Sequence, residues 1–458
     1  MRDMTEGPAG SQIFRFAVPM LLGNVFQQLY NIVDTIIIGQ YIGSNALAAA
    51  GASFPVIFVL VSLVIGITTG TTIIISQNYG AKNFDQVKKA IDTAFVFLFF
   101  ASLALTVLGL IFIEPLWNII GLPEEIIPEA TLYFNVYAIG FVFMFGYNGV
   151  SAVLRGLGDS KTPLYFLIIA SVLNIIFDLL FVLVFNMGIG GVAFATVLAQ
   201  AIAFFLAVLY LNKTHVLIKI GLKKLIFDAE IFYKSIKIGL PTGFQHTFVA
   251  MGMIAMVGIV SNFGSETIAA FTIAGRIDMF AAMPAMNFSL ALSTFVGQNI
   301  GANKLYRVKS GFRYTLIVTS IISVVVSLIA WFFGEEIMKV FTDDPEVIRL
   351  GYEYLVIVCS FYIVFSAMFV TQSVLRGAGD TLIPMFITLL SLWVFRVPLS
   401  YFLSQNMGTP GIWLGIPIAW MFGFSAVFIY YKMGKWKNKI VIKKKEPPVE
   451  TVEETPGA

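Results

Sequence analysis

The sequence predicts an all-α integral membrane protein, with twelve transmembrane helices in two homologous six-helix lobes related by an axis along the membrane normal. Three observations carry that reading. Of 458 residues, 58% are apolar and only 12% are charged, and the mean hydropathy is +0.87, which leaves too little charge to cover a soluble surface of this size. Lys and Arg collect in alternate connections between apolar runs. The second half of the chain repeats motifs of the first.

Apolar stretches of roughly 20 residues, enough to cross a hydrocarbon core as a helix, recur along the chain. Runs such as 164–185 and 314–333 lack the alternation of a strand, and helices satisfy their own backbone groups in lipid. Twelve spans follow, over about 13–40, 47–78, 90–113, 127–152, 162–185, 190–211, 236–262, 267–298, 312–333, 347–373, 382–404 and 409–431. Spans 2 and 8 exceed what a bilayer needs. The first is too long and too polar for a signal-peptide core and no A-x-A site follows, so it is expected to remain as span 1. One cysteine, Cys359, rules out a disulfide framework.

Basic residues set the orientation. With the N-terminus inside, 25 of the 29 Lys and Arg fall on inner segments, among them six lysines between 213 and 237 and seven from 432 to 445. The outer connections carry only Lys339 and Arg349 and are otherwise acidic. Both termini are therefore expected in the cytoplasm and the chain in the inner (plasma) membrane. The expected division is an N-lobe over 1–211, a cytoplasmic linker over 212–235, a C-lobe over 236–432 and a disordered cytoplasmic tail over 433–458.

The repeat is explicit. Leu154-Arg155-Gly156-x-Gly158-Asp159 recurs 221 residues later as Leu375-Arg376-Gly377-x-Gly379-Asp380. Gln77-Asn78-x-Gly80-Ala81 recurs at the same offset as Gln298-Asn299-x-Gly301-Ala302. Asn186-Met187-Gly188 and Pro19 have counterparts one residue out of step, at Asn406-Met407-Gly408 and Pro241. Matches in one order at a near-constant offset mean two homologous halves with a cavity between them. The motifs read first as structural joints at helix ends and, alternatively, as gates.

Charges inside the spans need a reason, because each costs roughly 2.5–3.5 kcal/mol at the bilayer centre. Span 1 places Gln27, Tyr30, Asn31 and Asp34 on one polar stripe, and span 5 places Asn174 and Asp178 one turn apart. Thr196 lies in span 6 among small apolar residues. The C-terminal half has Ala255 and Leu399 where the offset would repeat the two aspartates. It carries Arg276, Asp278 and Arg396 instead, and Arg396 reads as a cavity cation or a partner for a carboxylate. His246 reads as a proton carrier or a hydrogen-bonding tether, and His215 as loop.

The span 1 string from Pro19 to Gly43 (PMLLGNVFQQLYNIVDTIIIGQYIG), the V-G-Q-N-x-G-A string at 296–302 and the paired L-R-G-x-G-D motifs resemble the multidrug and toxic compound extrusion (MATE) family, in its DinF-like branch. The resemblance implies a two-lobed antiporter that expels cationic or amphiphilic organic compounds in exchange for H+ or Na+. It further implies that the coupling ion is held by Asp34, Asn174, Asp178 and Thr196. Other branches place acidic residues in spans 7 and 10, where this sequence has Val249 and no deep carboxylate.

Asp34 and Asp178 are expected to act together. Two buried acids so placed either share a proton or, with the Asn174 carbonyl and Thr196 hydroxyl, offer the hard oxygen ligands that suit Na+. Gln27, Tyr30, Asn31 and Arg396 are expected to line the cargo cavity, and Pro19 to bend span 1. Beyond the coupling ion no metal or cofactor is expected. The expected partners are organic cations and membrane lipids, not nucleic acid, and the expected state is a monomer. The alternative is a flippase for a lipid-linked oligosaccharide or peptidoglycan precursor, whose anionic substrate would call for more Arg and Lys within the spans. An enzyme would need a nucleophile or metal cluster that the scattered histidines and cysteine do not supply, and no P-loop is present.

Overall fold

A computed structural model describes residues 3–214 and 225–442, and all regular elements among them are helices. They form the twelve expected spans with different limits. Span 1 is Ala9–Ile37 ending in a π turn, Ile38–Ile42. Spans 2 and 3 are Ser44–Gly80 and Phe84–Ile120. Span 4 is a bent pair, Ile127–Ile139 and Phe141–Gly156. Span 5 runs Lys161–Leu179 into a π turn, Leu180–Val184, and span 6 is Gly188–Thr214. Span 7 is Ala229–Val260, span 8 Ser265–Gly301 and span 9 Leu305–Lys339. Span 10 is again a bent pair, Pro345–Cys359 and Tyr362–Ala378. Span 11 has a π segment, Leu390–Arg396, between Leu382–Leu389 and Val397–Met407, and span 12 is Thr409–Met433.

Nine of these helices, or eleven with each bent pair counted as one, are long and apolar enough to cross a membrane. Span 1 is the twelfth, and its polar stripe lowers its hydropathy. Spans 2, 3 and 8 each have 37 residues, about 55 Å against a hydrocarbon core of about 30 Å. Span 3 outruns its expected limits because hydropathy registers only the apolar middle of a helix. Its amphipathic first turns, from Phe84 to Lys89, continue the same hydrogen-bond ladder into water.

The linker was expected over 212–235, but span 6 reaches Thr214 and span 7 begins at Ala229. Residues 215–224, His215 among them, lie outside the described residues, as do 443–458 of the tail. Asp228 starts span 7. Its carboxylate accepts from the backbone N–H groups of Glu230 and Ile231, both at 3.1 Å, and Lys89 stands 3.6 Å away. The Ile231 N–H above all, with Lys89 adding to it, holds this carboxyl below the usual carboxylate range. A depressed acid stabilises the fold fully above its unfolded value and loses that contribution as pH falls through its folded value. Asp228→Ala is expected to cost about 1 kcal/mol at neutral pH. In detergent-solubilised protein, the melting-temperature gap between parent and variant should close on acidification below the carboxylate range.

The repeat extends to details of the backbone. Gly43 and Gly264 start the long spans 2 and 8 at positive φ, and Lys82 and Asn303 turn at φ 57 and 58 after the Gln-Asn motifs. Spans 4 and 10 bend by 50° and 49°. Each lobe has its own core, around Trp117, Phe134 and Phe141 in one and Trp413, Tyr354 and Phe271 in the other. The first turns of spans 1 and 7 are exchanged. Ile13, Phe16 and Ala17 of span 1 pack with Phe288 and Phe295 of the C-lobe, while Ile231 and Ile238 of span 7 pack with Ile75 and Leu154 of the N-lobe.

At the pole where residues 4–7 and 434–442 gather, the duplicated motifs interlock across the lobes. Gln77 Nε2 donates to the Gly377 carbonyl at 2.9 Å, and Gln298 Nε2 donates to the Gly156 carbonyl at 3.1 Å. Each glutamine Oε1 then accepts from a terminal segment, Gln77 from the Val441 N–H and Gln298 from the Met4 N–H, both at 3.0 Å. Arg307 reaches the carbonyl of Gly7 at 2.8 Å and ties down the N-terminal strap. The motifs are thus joints between the lobes. Residues 434–442 belong to this seal, with Trp436 buried against Tyr431.

Candidate functional site

Span 1 and span 5 pack together in the N-lobe, and their polar faces meet. Asp34 and Asp178 bring their carboxyl groups within reach of each other. Asp178 is 0% exposed, Asn174 3% and Thr196 7%. The Asn174 amide donates to the Thr196 hydroxyl at 3.3 Å, and that hydroxyl is bonded in turn to the Val192 carbonyl. The four residues proposed from sequence therefore lie in one place.

The site is short of donors. Asp34 Oδ1, both carboxylate oxygens of Asp178 and Asn174 Oδ1 are buried without a hydrogen-bond partner among the described residues. No Lys or Arg forms an ion pair with either aspartate there. An isolated carboxylate is expensive to bury, and removing a partner's charge leaves a penalty of several kcal/mol. Oxygens left unpartnered in this way can accept from water, share a proton between the two carboxyl groups, or ligate a small cation.

Local backbone geometry places the two acids. Asp34 lies one turn before the π turn Ile38–Ile42, and Asp178 two residues before the π turn Leu180–Val184. Widened turns rotate the register of a helix end and occur often at functional sites. Span 1 runs unbroken through Pro19, which is buried.

Residues that sequence reasoning missed complete the surroundings. Tyr133 and Tyr137 stack at 6.1 Å on span 4 and stand near Asp34, as does Tyr30. Gln200, one turn after Thr196, holds a buried Oε1 without a donor. A cavity of about 10 Å³ lies between Tyr30, Ser171, Asn174, Thr196 and Gln200, room for about one water. A second of about 10 Å³ adjoins it at Tyr137, Thr196 and Gln200. The i, i+4 spacing of Tyr133 with Tyr137 and of Thr196 with Gln200 was the available signal.

Of the expected cargo residues, Tyr30 adjoins the acidic pair, Gln27 is exposed, and Asn31 donates to Gln28 at 3.3 Å. Gln28 crosses the lobe boundary to the Met279 sulfur at 3.2 Å, and Asn24 donates to Asn287 at 2.9 Å. Arg396 lies elsewhere, in the C-lobe. There Tyr362 donates to the Asp278 carboxylate, Arg396 stands near Tyr354 and Asp278, and Arg276 is exposed. His246 lies beside Arg376, which is held by Gln245 and Gln372.

A family model described as MatE matches residues 19–180 and again 241–402, once in each half. The probable multidrug resistance protein YpnP of Bacillus subtilis is 34% identical over 435 residues, covering 95% of this chain and 97% of that protein. The probable multidrug resistance protein NorM of Thermotoga maritima is 27% identical, covering 94% of each. A solved outward-facing multidrug resistance MATE transporter of the MOP superfamily superposes with a TM-score of 0.89 at 23% identity, over 95% of this chain and 98% of that one.

Proposed function

Because the chain belongs to the MATE family of multidrug efflux transporters, we propose that it exports cationic or amphiphilic organic compounds by exchange for H+ or Na+, with Asp34, Asn174, Asp178 and Thr196 as the coupling site. The single observation behind this reading is the cluster of buried oxygens without donors at the two aspartates. The names of its relatives give the lipid-precursor flippase no support. The absence of any carboxylate at Val249 or deep in span 10 favours an N-lobe site of the DinF-like kind.

Exchange follows if ion and cargo weaken each other's binding. With the pair uncompensated, the site attracts a cationic cargo. A proton or Na+ removes that attraction and releases span 1, whose Pro19 withholds an N–H from the Arg15 carbonyl and supplies a weak point. The Lys and Arg bias makes the pole of the interlocked glutamines cytoplasmic. The conformation described would then be closed to the cytoplasm, and transport requires that seal to open and re-form.

The test is export of an ethidium-like dye from proteoliposomes under separately imposed Na+ and H+ gradients. One gradient should drive export and the other should not; export without either gradient would overturn the antiport reading. Thr196→Val, which keeps the volume and removes the hydroxyl, should weaken the apparent affinity for the driving ion between about threefold and tenfold. Titration of dye export against that ion reads the shift directly.

A further inference from the structure

The C-lobe contains a positively charged counterpart of the acidic pocket, which the coupling mechanism does not use. Arg396 is the last residue of the π segment Leu390–Arg396 in span 11. The repeat offset of 221 residues sets it opposite Ile175, next to Asn174 on span 5. Its neighbours are Met253 on span 7 and Asp278 on span 8. Span 11 against span 7 repeats span 5 against span 1, so the guanidinium occupies in one lobe the region the aspartates occupy in the other.

Its hydrogen-bonding capacity is largely unspent. Among the described residues Arg396 Nε is buried without a partner, and the acceptor for Nη2 is the Met253 sulfur at 4.0 Å, a weak one. No ion pair within 4.0 Å includes Arg396 among the described residues. The Asp278 carboxylate, the nearest candidate, is engaged by the Tyr362 hydroxyl. Met253 and Met279 are 43% and 49% exposed and provide an adaptable apolar wall beside it. The region lies at the lobe boundary, since Gln28 of span 1 reaches Met279, next to Asp278.

We propose that Arg396 is a cargo-recognition residue that binds a carboxylate or phosphate group, so that the preferred cargo is an amphiphile carrying an anionic group as well as a cationic one. A guanidinium fork matches a carboxylate in two parallel hydrogen bonds. Cargo held this way presents its cationic end to the first lobe and its anionic end to the second. The assignment deepens the transport reading by naming the cargo class, and it rests on that reading.

The test is equilibrium binding, by fluorescence anisotropy in nanodiscs, of a rhodamine zwitterion with a free carboxylate and of its methyl ester, which is a plain cation. No ion gradient enters, so the outcome is independent of whether the coupling site is correctly assigned. The readout is the ratio of the two dissociation constants. The parent should prefer the zwitterion by about tenfold or more, as expected for a charge-assisted pair. Arg396→Gln should bring the ratio near one, and Arg396→Lys, which keeps the charge but not the fork, should restore part of it. Asp278→Asn should increase the preference, because a competing negative charge is removed. The proposal fails if Arg396→Gln weakens both dyes equally, if it leaves the ratio unchanged, or if Asp278→Asn abolishes the preference as Arg396→Gln does. That last result would make the two residues a structural pair.

Discussion

Asp178→Asn is expected to slow gradient-driven dye export by about a hundredfold or more while raising the unfolding temperature. Both effects have one cause. Asp178 is fully buried, and neither of its oxygens has a donor among the described residues. On the proposed reading, that oxygen pair is satisfied in the parent by the coupling ion. An amide removes the charge and supplies two N–H donors, one of which can meet the facing Asp34. The fold thereby loses an uncompensated buried group worth about 1–3 kcal/mol, and the transporter loses the charge by which ion and cargo exclude each other. Asp34→Asn should damage export as severely and stabilise less, because Asp34 is only half-buried. The double variant should be little slower than either single one, since residues acting as a unit are not additive. Export measured in proteoliposomes, with thermal unfolding of the same preparations, checks all four combinations. If both single variants transport like the parent, the coupling site is wrongly assigned.

The second large effect is expected at the interlocked pole. A Cβ on Gly80 would stand 1.9 Å from the Gln298 carbonyl oxygen, and one on Gly301 would stand 1.9 Å from the Gln77 carbonyl oxygen. The obstacle is backbone in both cases, so no side chain can swing aside. Gly80→Ala or Gly301→Ala must push the ends of spans 2 and 8 apart before the Gln77–Gly377 and Gln298–Gly156 bonds can form. Overpacking of this kind costs about 1–3 kcal/mol. Here it falls on the closed pole alone, so the conformational balance should move towards opening by about tenfold to a hundredfold. Spin labels at Asp85 and Tyr306, both exposed and equivalent in the two halves, should report a longer distance in either variant than in the parent. Dye export should fall with it, because the seal must re-form in each cycle. Unchanged distances and parental transport in the double variant would show that the pole is not a gate.

The span count, the duplication and the N-lobe polar residues follow from the amino-acid order alone. Hydropathy and helical spacing are local properties, and motifs at a constant offset need no structure to be seen. Asp34 and Asp178 were nameable because buried charge is costly wherever the chain places it, whatever its neighbours, whereas Asn174 and Thr196 were joined to them by the family resemblance. Their contact is a tertiary fact, as are the tyrosines of span 4 beside them, Tyr362 on Asp278, and the bare guanidinium of Arg396. So is the exchange by which each half's glutamine binds the other half's glycine. These pairings join residues 84 to 300 positions apart, and what decides them is close packing between helices, where a carbonyl either finds its donor or does not. Local sequence sets which groups must be satisfied. Only the fold determines by whom, and which among the described residues are left without a partner.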